Sequence, residues 1–349
     1  MAQLDCNANT VAVHWEPISN NPDSYTALAI GTDGTRVSCN TSSTSCTIEN
    51  LRCGHTYSIA VTTSQTNCGI IEGSDYHIET APCQPQSPSV QLQCSTNIAT
   101  VTWDNNGADQ FDRVTALNFT GDAIVCNSRN RSCEFTQLRC GESYTLSVVG
   151  FNGNCTSVPS ENFGFDTAPC VPTYVVATTD CETAITTVSW DSARGASSYT
   201  VHAVNTRGNN STCTSTDTTC SFSDLDCGQN YTLTVTAEDS SCVSLTSAPI
   251  TVTTVPCPHS NLQATLDCSA DSALISWMPG RGTLMYNASA EGFDVDHTAD
   301  CHTSGSACNI TNLHCGSRYQ VSVSGEGLTC PSQSYNWIAL KSGNNLISH

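Results

Sequence analysis

Cysteine recurs along this chain on a nearly fixed grid. The 23 cysteines fall at positions 6, 39, 46, 53, 68 and 83, then 94, 126, 133, 140, 155 and 170, then 181, 213, 220, 227, 242 and 257, then 268, 301, 308, 315 and 330. Within each set the steps are 32 or 33, 7, 7, 15 and 15, and 11 residues separate one set from the next. A period of 87 or 88 residues, copied four times, is the mark of a tandem array. It divides the chain into repeats at 1–83, 84–170, 171–257 and 258–349. The fourth copy lacks its sixth cysteine. Domains this small bury little surface and often need covalent staples. Thiols at this density point to disulfides and to an oxidising, extracellular setting. Zinc, the alternative, needs tight Cys-x-x-Cys pairs, and none occurs.

Inside a repeat, short alternating runs are divided by turn residues, with no helical periodicity between them. In the second repeat, strands are expected at 90–93, 99–103, 114–119, 123–126, 133–138, 144–150 and 163–167. Thr, Val, Ser and aromatics fill these runs, as suits a pleated, half-buried surface. Seven short strands in under 90 residues imply an all-β fold, a β-sandwich per repeat. Trp15, Trp103, Trp190 and Trp277 each end a second strand. A Leu-x-Cys-Gly-x-x-Tyr run follows each, from Leu51 to Tyr57, Leu138 to Tyr144, Leu225 to Tyr231 and Leu313 to Tyr319. The glycine permits a tight corner, and the buried tyrosine can bond its hydroxyl back to the corner's backbone.

This Trp and corner pattern resembles the fibronectin type III domain, with cysteine in place of the usual proline. Together with the boundary runs Thr80-Ala81-Pro82-Cys83-Gln84-Pro85, Thr167-Ala168-Pro169-Cys170-Val171-Pro172 and Thr254-Val255-Pro256-Cys257-Pro258, it is similar to cysteine-rich fibronectin type III repeats of multi-repeat animal proteins. The resemblance covers essentially the whole chain. It implies four tandem seven-stranded fibronectin type III-like β-sandwiches forming a rod, and leaves the role open, because this scaffold hosts many.

Strand order places each cysteine at one pole of its sandwich. Cys39/Cys46, Cys126/Cys133, Cys213/Cys220 and Cys301/Cys308 flank one polar loop and are expected to pair, each bridge contributing about 2.5 kcal/mol. Cys6/Cys53, Cys94/Cys140, Cys181/Cys227 and Cys268/Cys315 share the other pole, and their longer loops would contribute about 4 kcal/mol each. The fifth and sixth cysteines of a repeat lie at opposite poles, too far apart for a disulfide. Bridges between repeats are therefore expected at Cys83–Cys155, Cys170–Cys242 and Cys257–Cys330, which leaves Cys68 over. A rival scheme joins the sixth cysteine to the corner cysteine, as in Cys53–Cys83. An unmatched Cys68 fits either a longer array upstream or a thiol for intermolecular linkage.

Net charge is −20 and the one lysine is Lys341, which disfavours nucleic acid and anionic membrane surfaces. No apolar run of about 20 residues occurs, so no membrane insertion is expected. There is no N-terminal signal segment, and a leader or upstream repeats are expected to have been removed. Asn-x-Ser/Thr sequons begin at Asn40, Asn118, Asn130, Asn154, Asn209, Asn210, Asn230, Asn287 and Asn309, as in a secreted glycoprotein. Asn154 precedes Cys155, so glycan and disulfide compete there, and Asn209 and Asn210 would share one glycan. No nucleophile-elbow or phosphate-loop motif is present, and Arg-Gly-Asp is absent. The densest polar constellation, Asp294, Asp296, His297, Asp300 and His302, reads as a solvated turn rather than a cation site. No catalytic residue, cofactor or metal is expected. Short proline-bearing linkers and bridged junctions imply stiffness, roughly 30 Å per domain. The expected role is a secreted structural protein associating with other copies of itself into a fibre or coat. The alternative is an adhesion or receptor ectodomain fragment that binds an extracellular protein or glycan. The segment 337–340 reads as a last strand, and 342–349 as a free end.

Overall fold

A computed structural model describes residues 1–17, 24–65, 69–72, 76–104, 111–267, 269–314, 316–332 and 336–341. Every regular element in it is a β-strand, and every pairing is antiparallel. The chain divides into two compact units, Met1–Ala168 and Pro169–His349. Each unit holds two sandwiches.

The second repeat shows the common plan. A three-stranded sheet runs Ser132–Phe135, Ile98–Asp104, Gln86–Gln93, and a four-stranded sheet runs Ala123–Ser128, Phe111–Asn118, Ser143–Phe151, Phe163–Asp166. These are the seven strands expected from sequence, with boundaries shifted by a few residues. Alternation drives the assembly, because period-two patterning turns one row of side chains inward. Along Phe111–Asn118 the even-numbered residues are buried and the odd-numbered ones face out. Val101, Val114, Leu146 and Val148 are fully buried in the resulting core. Each such side chain contributes about 1.5–3 kcal/mol. The third and fourth repeats keep the same two sheets and have cores of their own. The segment expected as the last strand is Trp337–Lys341, paired with Arg318–Glu326.

Among its described residues the first repeat has eight strands rather than seven. Gly69–Glu72 and Tyr76–Glu79 both pair with Thr56–Gln65. In the other repeats the first of these pairings shrinks to a single bridge, Phe151–Thr156, Glu238–Val243 or Glu326–Pro331. Serines take over there. Ser157 and Ser160 accept hydrogen bonds from Gly150 and Val148 amides, and Ser244 and Ser247 from Ala237 and Val235 amides. Ser332 does the same for Gly325. The hydroxyls pair amides that a continuous strand would have paired.

Corner chemistry follows the sequence. Gly54, Gly141, Gly228 and Gly316 all have positive φ, between 61° and 93°. The hydroxyls of Tyr57, Tyr144, Tyr231 and Tyr319 accept from the amides of Arg52, Arg139, Asp226 and His314 at 2.9–3.2 Å. Trp15, Trp190 and Trp277 pack on Tyr25, Tyr199 and Tyr286, with ring centroids 5.2–5.3 Å apart. The second repeat departs from this. Asp112 stands where the tyrosine does, and Trp103 Nε1 donates to its carboxylate at 2.8 Å.

Candidate functional site: the bridged junctions

All described cysteines are disulfide-bonded; Cys68, Cys268 and Cys315 lie outside the described residues, and with them the expected Cys268/Cys315 pair. Cys39–Cys46, Cys126–Cys133, Cys213–Cys220 and Cys301–Cys308 are bonded, with Cα atoms 6.1–6.2 Å apart. These cysteines sit within strands on the edges of opposing sheets, so the bridge clips the two sheets together as well as closing the short loop between them.

Four other expected pairings, Cys6/Cys53, Cys181/Cys227, Cys83–Cys155 and Cys257–Cys330, are replaced. Cys6 bonds Cys155, not Cys53, and Cys181 bonds Cys330, not Cys227. Cys53 bonds Cys83 and Cys227 bonds Cys257, so Cys83 does not reach Cys155, nor Cys257 Cys330. Cys94, Cys140, Cys170 and Cys242 are also bonded. The physical reason is proximity at the corner. The amides of Gly54 and Gly228 donate to the carbonyls of Ala81 and Val255, which draws the end of the last strand onto the corner. The Cα atoms of Cys53 and Cys83 are 4.9 Å apart, as are those of Cys227 and Cys257. That is the rival scheme weighed from sequence. With the corner and last cysteines satisfied by each other, the first cysteine is the one left at that pole to reach the next repeat.

A capped turn presents it. Asp5 Oδ1 accepts from the amides of Asn7 and Ala8, and Asp180 Oδ1 from those of Glu182 and Thr183. The Thr183 amide and hydroxyl hold the Asp180 carboxyl below the usual range, and the Ser269 hydroxyl and amide do the same at Asp267. Asp-Cys is thus a turn signal. On the receiving side, Asn152 Oδ1 accepts from the amides of Asn154 and Cys155, folding the loop around the buried sulfur.

Hydrogen bonds reinforce the bridges inside each unit. Between the first and second repeats, Asn152 Nδ2 donates to the Thr80 carbonyl at 3.0 Å, and just past the boundary Gln84 Nε2 holds the start of the second repeat to the Pro159 carbonyl at 2.8 Å. Between the third and fourth, the corner at Gly228 packs on Arg281-Gly282. A Cβ at Gly282, whose φ is 80°, would fall 2.6 Å from the Gly228 Cα, so only glycine fits that approach. Boundary threonines are part of this build. Thr80, Thr167 and Thr254 are buried. Each accepts from the amide of His55, Glu142 or Gln229, and donates to the carbonyl of Arg52, Arg139 or Asp226 at 2.8 Å. In the sequence these threonines stand out only as part of the boundary runs, and their recurrence in the same place is the signal of this role.

His259 stands where the second and third repeats have the buried Pro85 and Pro172. Its ring is 2% exposed, and neither nitrogen has a hydrogen-bond partner among the described residues. Burial holds its pKa below the usual histidine value.

The sequons separate by accessibility. Asn40, Asn130, Asn154, Asn209, Asn210, Asn230 and Asn309 are exposed, and Asn287 is half-buried. Asn118 is buried, its Oδ1 accepting from the amides of Thr120 and Asp122. The polar constellation of the fourth repeat is dispersed. Asp294 forms a two-point ion pair with Arg318, which lowers the Asp294 pKa. Asp300 pairs with His302, and His297 stacks on His314 with centroids 4.5 Å apart. No group of three or more metal-ligating side chains occurs among the described residues.

Comparison with known proteins fits this architecture. Residues 171–253 match the fibronectin type III domain. Fibronectin type III domain-containing protein 7 of Homo sapiens is 30% identical over 315 residues, spanning 89% of this chain and 42% of the relative. Its Mus musculus counterpart is 29% identical over 332 residues, spanning 93% and 44%. The chain thus spans less than half the length of these relatives. Human receptor-type tyrosine-protein phosphatase H is 24% identical over 338 residues, spanning 90% of this chain and 29% of that protein. Among solved structures, the two-domain fibronectin type III segment of chicken tenascin is 21% identical, with a TM-score of 0.32, covering 48% of this chain and 98% of that one.

Proposed function

We propose that this chain, which carries a fibronectin type III domain and is homologous to fibronectin type III domain-containing protein 7, is a secreted structural glycoprotein that works by assembling with other copies of itself. The observation that carries the reading is the pair of bridges Cys6–Cys155 and Cys181–Cys330. Each ties a repeat to its neighbour at a second point besides the peptide linker, and so limits hinge motion within a unit. Sites built for catalysis gather titratable groups in a cleft. Here disulfides brace each repeat and two of them also span a junction, which favours a mechanical or display role over turnover. Disulfides in these numbers persist in oxidising compartments, in keeping with an extracellular protein. The exposed sequons are the positions at which glycans would shield the surface.

Negative-stain electron microscopy of the oxidised, secreted chain tests the reading. Polymers or ordered oligomers that disappear on reduction are the expected result. Solitary particles at high protein concentration would overturn it and leave the adhesion or receptor ectodomain reading, in which the same braced units present a face to a different protein.

A further inference from the structure

The outward face of the second repeat's four-stranded sheet differs in kind from the same face in the other repeats. Phe111 and Phe151 lie opposite each other across paired strands, and they are 44% and 43% exposed. The Arg129 guanidinium sits 3.8 Å from the centre of the Phe111 ring. Arg113, two residues along, is in register with Val149, and its Nε donates to Asn127 Oδ1 at 3.4 Å. The place of the phenylalanine pair is held by Ser24 and Ser64 in the first repeat, Ser198 and Glu238 in the third, and Met285 and Glu326 in the fourth. A position that carries serine, methionine or carboxylate elsewhere is here doubly aromatic and flanked by two arginines. This stands out in a chain of 11 basic and 31 acidic residues. Aromatics and arginine are the side chains enriched where proteins bind one another, while lysine and carboxylates are depleted there.

Such a surface asks for apolar groups beside carboxylates. The fourth repeat offers both at the homologous place: Met285 and Leu284 are 42% and 56% exposed, and the exposed Glu326 is in register with Met285. The second repeat's face cannot pair with itself, because arginine would meet arginine. A contact between unlike faces is heterologous and can propagate from copy to copy. We propose that the face built on Phe111, Phe151, Arg113 and Arg129 binds the Met285–Glu326 face of a second copy of this chain. The proposal rests on the assembly reading and gives it a contact.

Sedimentation velocity of the full, oxidised chain across a concentration series tests it. N-glycans are removed enzymatically first, since the sequon at Asn287 shares the Met285 face. The wild type is expected to self-associate, and less so in 1 M salt, where screening shortens to about 3 Å. Phe111→Ser with Phe151→Glu, the residues of the third repeat, should weaken association at least tenfold without lowering the melting temperature. Arg113→Glu with Arg129→Glu should do the same, and adding Glu326→Arg should restore it. Variants that associate as the wild type does would overturn this face while leaving assembly intact. A Glu326→Arg single variant that associates normally would overturn the partner face. A wild type that stays monomeric at every concentration would overturn both the face and the assembly reading.

Discussion

Removing the Cys6–Cys155 bridge should uncouple the first unit without touching the second. The bonded residues are 149 apart in sequence, a span that gives about 5 kcal/mol in the chain-entropy treatment of a cross-link. The unfolded chain is already shortened inside that ring by Cys39–Cys46, Cys53–Cys83 and Cys126–Cys133, which cut out spans of 7, 30 and 7 residues. About 105 residues remain, and because the dependence is logarithmic the figure falls only to about 4.8 kcal/mol. The Asn152–Thr80 hydrogen bond across the junction is worth about 1 kcal/mol, so it cannot substitute for the bridge. For a unit of this size, each kcal/mol shifts the midpoint by about 2–4 °C, so the expected drop is about 10–20 °C. The perturbation is Cys6→Ser with Cys155→Ala, alanine being chosen because Cys155 is 3% exposed and serine would bury a hydroxyl. Differential scanning calorimetry of the oxidised full chain reads the result, with the Pro169–His349 unit as internal control. A first-unit transition that stays within about 2 °C of wild type would show that the bridge does not couple the repeats, and the mechanical argument would fall with it.

Thr167→Val keeps the shape of a buried side chain but orphans the Glu142 amide and the Arg139 carbonyl, and should cost the second repeat about 2–4 kcal/mol by urea denaturation; a cost below about 0.5 kcal/mol would refute the role assigned to the hydroxyl. Burial holds the pKa of His259 in the folded protein below 6.5. Between that folded value and 6.5 the unfolded chain binds the extra proton, so stability of the second unit should fall as pH drops below about 6.5 and be unaffected by this group above it. His259→Pro should flatten this part of the pH profile, and a profile identical to wild type would exclude the histidine as its source. Glycopeptide mapping should find Asn118 unmodified and the exposed Asn40, Asn130 and Asn309 available; occupancy at Asn118 would mean that its turn forms otherwise than described.

Strand alternation, the tryptophan and the Cys-Gly-x-x-Tyr corner were legible along the chain because they are local: a period of two sets which side chains meet, and one glycine sets the corner. So was the oxidised state of the cysteines, which follows from density and spacing. The Phe111–Phe151 pair was not, since it depends on register between strands dozens of residues apart, and neither were the serine hydroxyls that stand in for the first half of the last strand, since their amide partners lie on the neighbouring strand. Disulfide pairing belongs to the same class. Cys6 and Cys53 sit at one pole and looked like partners, yet the hydrogen bond from Gly54 to Ala81 delivers Cys83 to the corner first and turns Cys6 toward Cys155. Sequence determined how many modules there are, what each looks like and that sulfur staples them. Only the tertiary structure decided which sulfurs meet, because a disulfide requires Cα atoms within about 7 Å and that distance is set by how sheets and loops pack.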